Sequence, residues 1–208
     1  MATLIRPTEH PVLLGDVSWA TYEALLVDGD DHRTTRIAYD QGLLEIMTPS
    51  FEHEHVKAIA QAIVETILDS RGHDYVPAGS TTFRRVGAGR GFEADASYYI
   101  ERAAQVRGLT RIDLDRDPPP DLVIEIDLTH MSLDKFPIYA GLGVPEVWRF
   151  RGPQALIYRL VEADYVEIEV SEVVPELTSR QLTDFIQAGL QQTRPVWRRQ
   201  MQAWAEPH

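Results

Sequence analysis

The sequence predicts an α/β fold: a central mixed β-sheet flanked by helices, in the order helix, three strands, helix, strand. Three observations carry this. Val56, Ile59, Ala60, Ile63, Val64, Ile67 and Leu68 recur at helical spacing across Phe51 to Arg71, which gives a long helix with one apolar face. Asp121-Leu122-Val123-Ile124-Glu125-Ile126 is almost continuously apolar, as in a strand covered on both faces. A short helical stretch then leads to Val147-Trp148-Arg149-Phe150, and a crossover of that kind makes the two strands parallel neighbours.

Taken in order, Ser18 is a helix N-cap for Trp19 to Leu26, which ends near Gly29. Arg36 to Tyr39 and Leu43 to Met47 form a hairpin around Asp40-Gln41-Gly42. Thr48-Pro49-Ser50 starts the long helix and Gly72 closes it. Short strands are expected at Tyr75-Val76 and Thr81 to Phe83, then a glycine-rich link (residues 87–91) and a strand from Ala94 to Ile100. The stretch with Asp113, Asp115 and Asp117, ending in Pro118-Pro119-Pro120, reads as a surface loop. After the Glu125 strand come a helix from Leu133 to Tyr139 and the Trp148 strand. An antiparallel pair (Gln154 to Leu160, Tyr165 to Val170) and helices at Ser179 to Ala188 and Pro195 to Trp204 complete the chain.

With 208 residues, 44% hydrophobic and 25% charged, the chain suits a single domain with a sizeable core. Its core is expected over about 36–150 and an elaboration over 151–208. No apolar run is long enough for a membrane span, and Met1 to His10 lacks a basic-then-apolar signal. No cysteine is present, which excludes disulfides, zinc-thiolate sites and a cysteine nucleophile and fits a cytoplasmic location. The net charge of −12 argues against a surface that grips nucleic acid everywhere, but not against one local basic face.

Acids inside apolar strands need a reason, because a buried carboxylate costs several kcal/mol unless it is paired or bound to metal. Glu125 interrupts Leu-Val-Ile-Glu-Ile, and Asp95 heads a strand rich in tyrosine. Lys135 follows Glu125 closely enough to lean back over the strand end. Two carboxylates and a lysine can hold a divalent cation, orient a water and offset charge on a phosphate. The same spacing also fits a structural ion pair of Glu125 with Lys135 or an arginine, with Asp95 merely starting a strand.

Several ordered segments resemble the Uma-type bacterial endonuclease family, of the restriction-endonuclease-like PD-(D/E)XK superfamily. They are Gly42 to Pro49 with Glu52-His53-Glu54, Phe92-Glu93-Ala94-Asp95, Pro120 to Ile126, Ser132 to Lys135, and Tyr139 to Trp148. Together they span roughly Arg36 to Phe150. The resemblance implies a restriction-endonuclease-like core and a Mg²⁺- or Mn²⁺-dependent endonuclease acting on DNA. By residue, it implies Asp95 and Glu125 as metal ligands, with the backbone carbonyl of Ile126 completing the protein shell. Two departures stand out. Ala94 replaces the proline of the motif, and Asp127 occupies the lysine's usual place, so the lysine has moved to Lys135 on the next helix. Asp127 is then an extra ligand or a residue of the helix approach. Glu45 and His53 also match the pattern and would line the site mouth, although His53 equally fits a capping or core-edge role. His55 reads as surface.

The Gly87 to Gly91 stretch lacks a P-loop ending and reads as a hairpin link, with Arg84, Arg85 and Arg90 beside it as candidates to meet a phosphate backbone. Arg194, Arg198 and Arg199 with Trp197 and Trp204 have the composition of a nucleic-acid patch, or of an amphipathic helix on the body or on a dimer mate. Exposed Trp197 and Trp204 would leave an apolar patch, which predicts a two-fold homodimer.

Overall fold

The computed structural model describes residues 11–29, 34–128, 133–152 and 154–206. Ser132, one of the residues carrying the family resemblance, lies outside them, as does the start of the chain. The elements in chain order are β1 (Val12–Leu14), α1 (Trp19–Asp28), β2 (Arg36–Asp40), β3 (Leu43–Met47), α2 (Phe51–Arg71), β4 (Val76–Pro77), β5 (Thr82–Arg85) and β6 (Arg90–Glu93). They continue with β7 (Ala96–Tyr99), α3 (Ala103–Val106), β8 (Leu122–Asp127), α4 (Phe136–Leu142), β9 (Glu146–Arg151), β10 (Gln154–Val161), β11 (Asp164–Ile168), α5 (Ser179–Gln191) and α6 (Arg194–Ala205).

Local sequence sets the boundaries. The Ser18 and Ser50 hydroxyls accept the N–H of Thr21 and His53, each at 3.1 Å, and so start α1 and α2. Gly72 ends α2 at φ +66°, a conformation open to glycine.

Two sheets result. The six-stranded sheet has the order β11-β10-β9-β8-β7-β4 and is mixed, with β8 and β9 parallel as the crossover predicts. It contains the expected core: α2, the strands β4, β7 and β8, then α4 and β9. The second sheet, β1-β3-β2-β6-β5, is antiparallel throughout and joins the N-terminal hairpin to β5 and β6. It holds the strand expected near Thr81 to Phe83, which therefore lies outside the core sheet.

One face of the six-stranded sheet (Ile124, Ile126, Trp148) packs under α2, α5 and α6. Its other face (Tyr99, Val123, Val147) packs with α4 against Phe83 and Phe92 of the second sheet and Ala94 just beyond it. The far face of that sheet carries α1 through Tyr22, Ile37, Tyr39 and Leu44.

The link near Gly87 is a hairpin, with a single 3₁₀ turn between β5 and β6. β6 itself escapes a reading from sequence because Gly91 looks like linker. Here glycine is demanded by contact: a Cβ at Gly91 would run into the Tyr22 hydroxyl. The strand expected from Ala94 begins at Ala96, and Ala94-Asp95 forms the joint between the two sheets.

The C-terminal expectation is corrected. Trp197 is fully buried, and its Nε1 donates to the Phe185 carbonyl at 2.8 Å. Trp197, Met201 and Ala205 share one buried face of α6, packed with residues of α2 and α5, while Trp204 is partly covered beside Phe185. This is the amphipathic-helix reading, and the exposed tryptophan patch that motivated a dimer is not there. Among the described residues no helix is long and apolar enough to cross a membrane.

Candidate active site

Asp95 sits at the joint between the sheets with 2% of its surface exposed. The neighbouring register pairs Ala96 with Ile124 in antiparallel fashion, so one step further sets Asp95 across from Glu125. Side chains so opposed stand about 4.5–5.5 Å apart at Cβ. Asp95 Oδ2 accepts the Ile126 N–H at 2.7 Å, and Oδ1 lies 2.8 Å from His53 Nε2. His53 comes from the first turn of α2 and is fully buried, so it belongs to the site's interior rather than its mouth.

Glu125 points to the α4 side of β8. Its Oε2 accepts Lys135 Nζ at 2.9 Å, and its Oε1 accepts the Tyr139 hydroxyl. Lys135 is not inside the helix, as expected from sequence, but occupies the N-cap position of α4. From there its Nζ also lies 3.8 Å from Glu45 Oε1. Glu45, buried in the middle of β3, accepts the Leu133 N–H through Oε2 at 3.1 Å. Asp95, Glu125, Lys135, Glu45 and His53 thus converge. Of Ile126, the described contact with these acids is its N–H.

The electrostatics separate the acids. Burial works to raise the Asp95 pKa, but the His53 bond and charge, the Lys135 charge and the Ile126 N–H outweigh it and hold the carboxyl below its usual range. Glu125 goes the other way: burial and the Asp95 charge push it up against Lys135 and Tyr139. Burial opposes the charge on Lys135, yet Glu125, Asp95 and Glu45 raise its pKa above the ordinary lysine value, so it stays an ammonium. The two acids are thus shifted in opposite directions, with the Lys135 ammonium bonded to Glu125.

Asp127 and the arginines beside the glycine-rich link have partners within the fold. Asp127 ends β8, and Arg149 from β9 holds its Oδ2 at 2.9 and 3.2 Å. Arg84 reaches Glu23 at 3.3 Å. Arg85 donates to the Leu114 carbonyl at 3.0 Å and Arg90 to Asp40 at 2.7 Å, so these two are tied up in the fold rather than offered to a phosphate backbone. Tyr139, expected from sequence only as the end of a helix, was missed as a site residue. The available signal was its spacing: Lys135 and Tyr139 are four residues apart, which brings both to one helix face. His55 is exposed, as expected.

Among the described residues no group of three or more His, Asp or Glu side chains is gathered so as to hold a metal ion. The donor set is therefore small: two opposed carboxylates. That is enough for Mg²⁺, which is commonly held by one or two carboxylates with water and substrate phosphate filling the rest. Each of the four carboxylate oxygens already has a hydrogen-bond donor, so an ion here would be held through their second lone pairs.

A family model named Uma2 and described as "Putative restriction endonuclease" matches residues 19–195. Among solved structures, one titled as a putative nuclease belonging to DUF820 from Anabaena variabilis is similar at a TM-score of 0.51. Its sequence identity is 13%, over 72% of this chain and 90% of that one. At that identity the likeness speaks for the fold alone. No curated protein matches the sequence.

Proposed function

This chain belongs to the Uma2 family, and from that premise we propose that it is a metal-dependent endonuclease hydrolysing phosphodiester bonds of DNA. The observation that carries the reading is the meeting of Asp95 with Glu125 and Lys135, groups from two separate stretches of the chain brought to one largely buried point. Asp95 and Glu125, with the carbonyl of Ile126, would hold Mg²⁺ or Mn²⁺. Bound there, the ion supplies Lewis-acid stabilisation of the phosphate's developing charge. Lys135 orients the attacking water and offsets that charge as a compact donor. His53 fixes the Asp95 carboxylate, and Tyr139 fixes that of Glu125. Glu45 keeps Lys135 turned toward the acids. In this reading the site belongs to one domain with its core at about 36–150, in a cytoplasmic protein. A homodimer would let two sites cut both strands, but its surface has to lie elsewhere than Trp197 and Trp204.

A second reading, a non-catalytic nucleic-acid-binding or assembly module, is favoured by one observation: Lys135 already neutralises Glu125 as a close buried pair. Thermal unfolding with and without millimolar Mn²⁺ separates the two. The enzyme reading gives a rise in melting temperature that Asp95→Ala abolishes. No rise in the unmodified protein would favour the module.

A further inference from the structure

A cavity of about 510 Å³ opens beside α1, between the start of β2 and the turn that leads into β5. Its lining is unlike the rest of this acidic protein. Arg36, Arg84 and Arg111 stand around it together with a band of hydroxyls that includes Ser80, Thr81 and Thr110. Leu26 and Ile112 add a short apolar wall. The acid at its edge, Glu93, is already engaged: its two oxygens accept the Ile37 N–H at 3.0 Å and the Thr82 hydroxyl at 2.6 Å.

The guanidiniums are less well matched. Arg84 has Glu23 at 3.3 Å, but the exposed Arg111 pairs with no acid among the described residues. Arg36 Nε is buried without a hydrogen-bond acceptor, and its ionic neighbour, Glu54 Oε1, is 3.8 Å from Nη2, too far for a hydrogen bond. A buried N–H left without an acceptor is unfavourable and calls for an explanation, such as a bound anion. Arginine forks with serine and threonine hydroxyls are the usual partners of phosphate oxygens. The volume falls within the range of small-ligand sites and exceeds what a lone anion needs.

Two lining residues, Glu93 and Arg36, lead from the cavity toward the candidate active site. Glu93, the last residue of β6, precedes Asp95 by two residues. Arg36 reaches toward Glu54, the neighbour of His53, which touches Asp95. We infer that this cavity is a subsite for one nucleotide of the nucleic-acid strand next to the bond that is cut. Its phosphate lies on Arg36, Arg84 and Arg111, and its sugar lies against Leu26 and Ile112. The ligand's identity rests on the nuclease reading; the anion chemistry does not.

The test is fluorescence anisotropy of a labelled ten-nucleotide single-stranded DNA in EDTA, so that no cleavage intervenes, with inorganic phosphate as competitor. Arg111→Glu should weaken binding by about tenfold or more and lower the slope of log affinity against log salt by about one. Arg199→Glu, an equal charge change on exposed α6, should alter affinity less than twofold. Arg36→Met should weaken binding while leaving the melting temperature unchanged or higher, since it removes an orphaned donor and keeps the stem. Equal effects of Arg111→Glu and Arg199→Glu would overturn the subsite. Phosphate binding that Arg111→Glu removes, with DNA affinity absent or unchanged, would assign the cavity to a free phosphorylated ligand and overturn the nucleotide of a strand. Because the binding arm contains no metal, it stands or falls separately from the cleavage reading.

Discussion

Two glutamates on neighbouring strands, Glu125 on β8 and Glu146 on β9, are both buried in apolar surroundings, and they are handled in opposite ways. Glu146 is 1% exposed, and among the described residues no cation pairs with it. Its Oε1 accepts Trp148 Nε1 and the Ser171 hydroxyl at 2.6 Å each, and its Oε2 accepts the N–H groups of Glu172 and Val173 at 2.8 and 3.4 Å. Neutral donors, most of them from the segment after β11, saturate it. Glu125 instead faces another carboxylate, shares a lysine and has one neutral donor, Tyr139. Burial pushes both above the usual carboxylate range. The lesson is that a buried acid alone does not mark a site. An acid that is left facing a second acid and a shared cation does.

The largest effect that sharpens this contrast should come from Glu146→Ala. It strands an indole N–H, a hydroxyl and two backbone amides, at about 1–3 kcal/mol for each group that finds no substitute. A total of roughly 3–5 kcal/mol is expected, on the order of 10 °C in melting temperature for a chain of this size. Cleavage per folded molecule should not change. Differential scanning calorimetry with an activity assay reads both.

Lys135→Ala should do the reverse. Loss of the cation should cut cleavage by about 100-fold or more, with stability falling only about 1–3 kcal/mol. The stability loss stays small because Glu125 keeps the Tyr139 hydroxyl and can take up a proton. Full activity with a loss as large as that of Glu146→Ala would make Lys135 structural and erase the contrast.

Tyr139→Phe keeps the ring against Phe92 and removes one donor from Glu125. A fall of about tenfold in kcat, with stability changed by about 1 kcal/mol, is expected. Unchanged kinetics would show that Lys135 alone fixes the glutamate.

The smallest effect is in pH dependence. The Asp95 pKa is depressed in the fold, so its contribution to stability is full above the ordinary aspartate range and is lost as pH falls through the depressed value. For Glu125 and Glu146 the folded values are raised, so stability declines as pH rises from the ordinary glutamate range through them. Melting temperature should therefore peak in mildly acid buffer, and Asp95→Asn should flatten the acid limb only. An acid limb unchanged by Asp95→Asn would refute this share.

Much of this was legible in the sequence, for reasons that differ by element. α2 and the β8–α4–β9 crossover were readable because period, length and capping residues all agree. β1 and β6 were not, since each is too short to show alternation and Gly91 imitates a linker. Asp95, Glu125 and Lys135 stood out as charged residues beside apolar runs, yet Glu146 carries the same local signal. What distinguishes it is a segment some 25 residues later, Ser171 to Val173, folding back onto it. The partner of Asp127 was illegible for the same reason: Arg149 lies on another strand. Only tertiary contact decides such pairs.

The most direct measurement is cleavage of supercoiled plasmid in Mn²⁺ by the unmodified protein, Glu125→Gln and Glu146→Gln, each normalised to its folded fraction. Nicking by the unmodified protein, none by Glu125→Gln and an unimpaired rate for Glu146→Gln is the predicted result. Cleavage by Glu125→Gln at the unmodified rate, or no cleavage by any of the three, would contradict a phosphodiesterase centre at Asp95, Glu125 and Lys135.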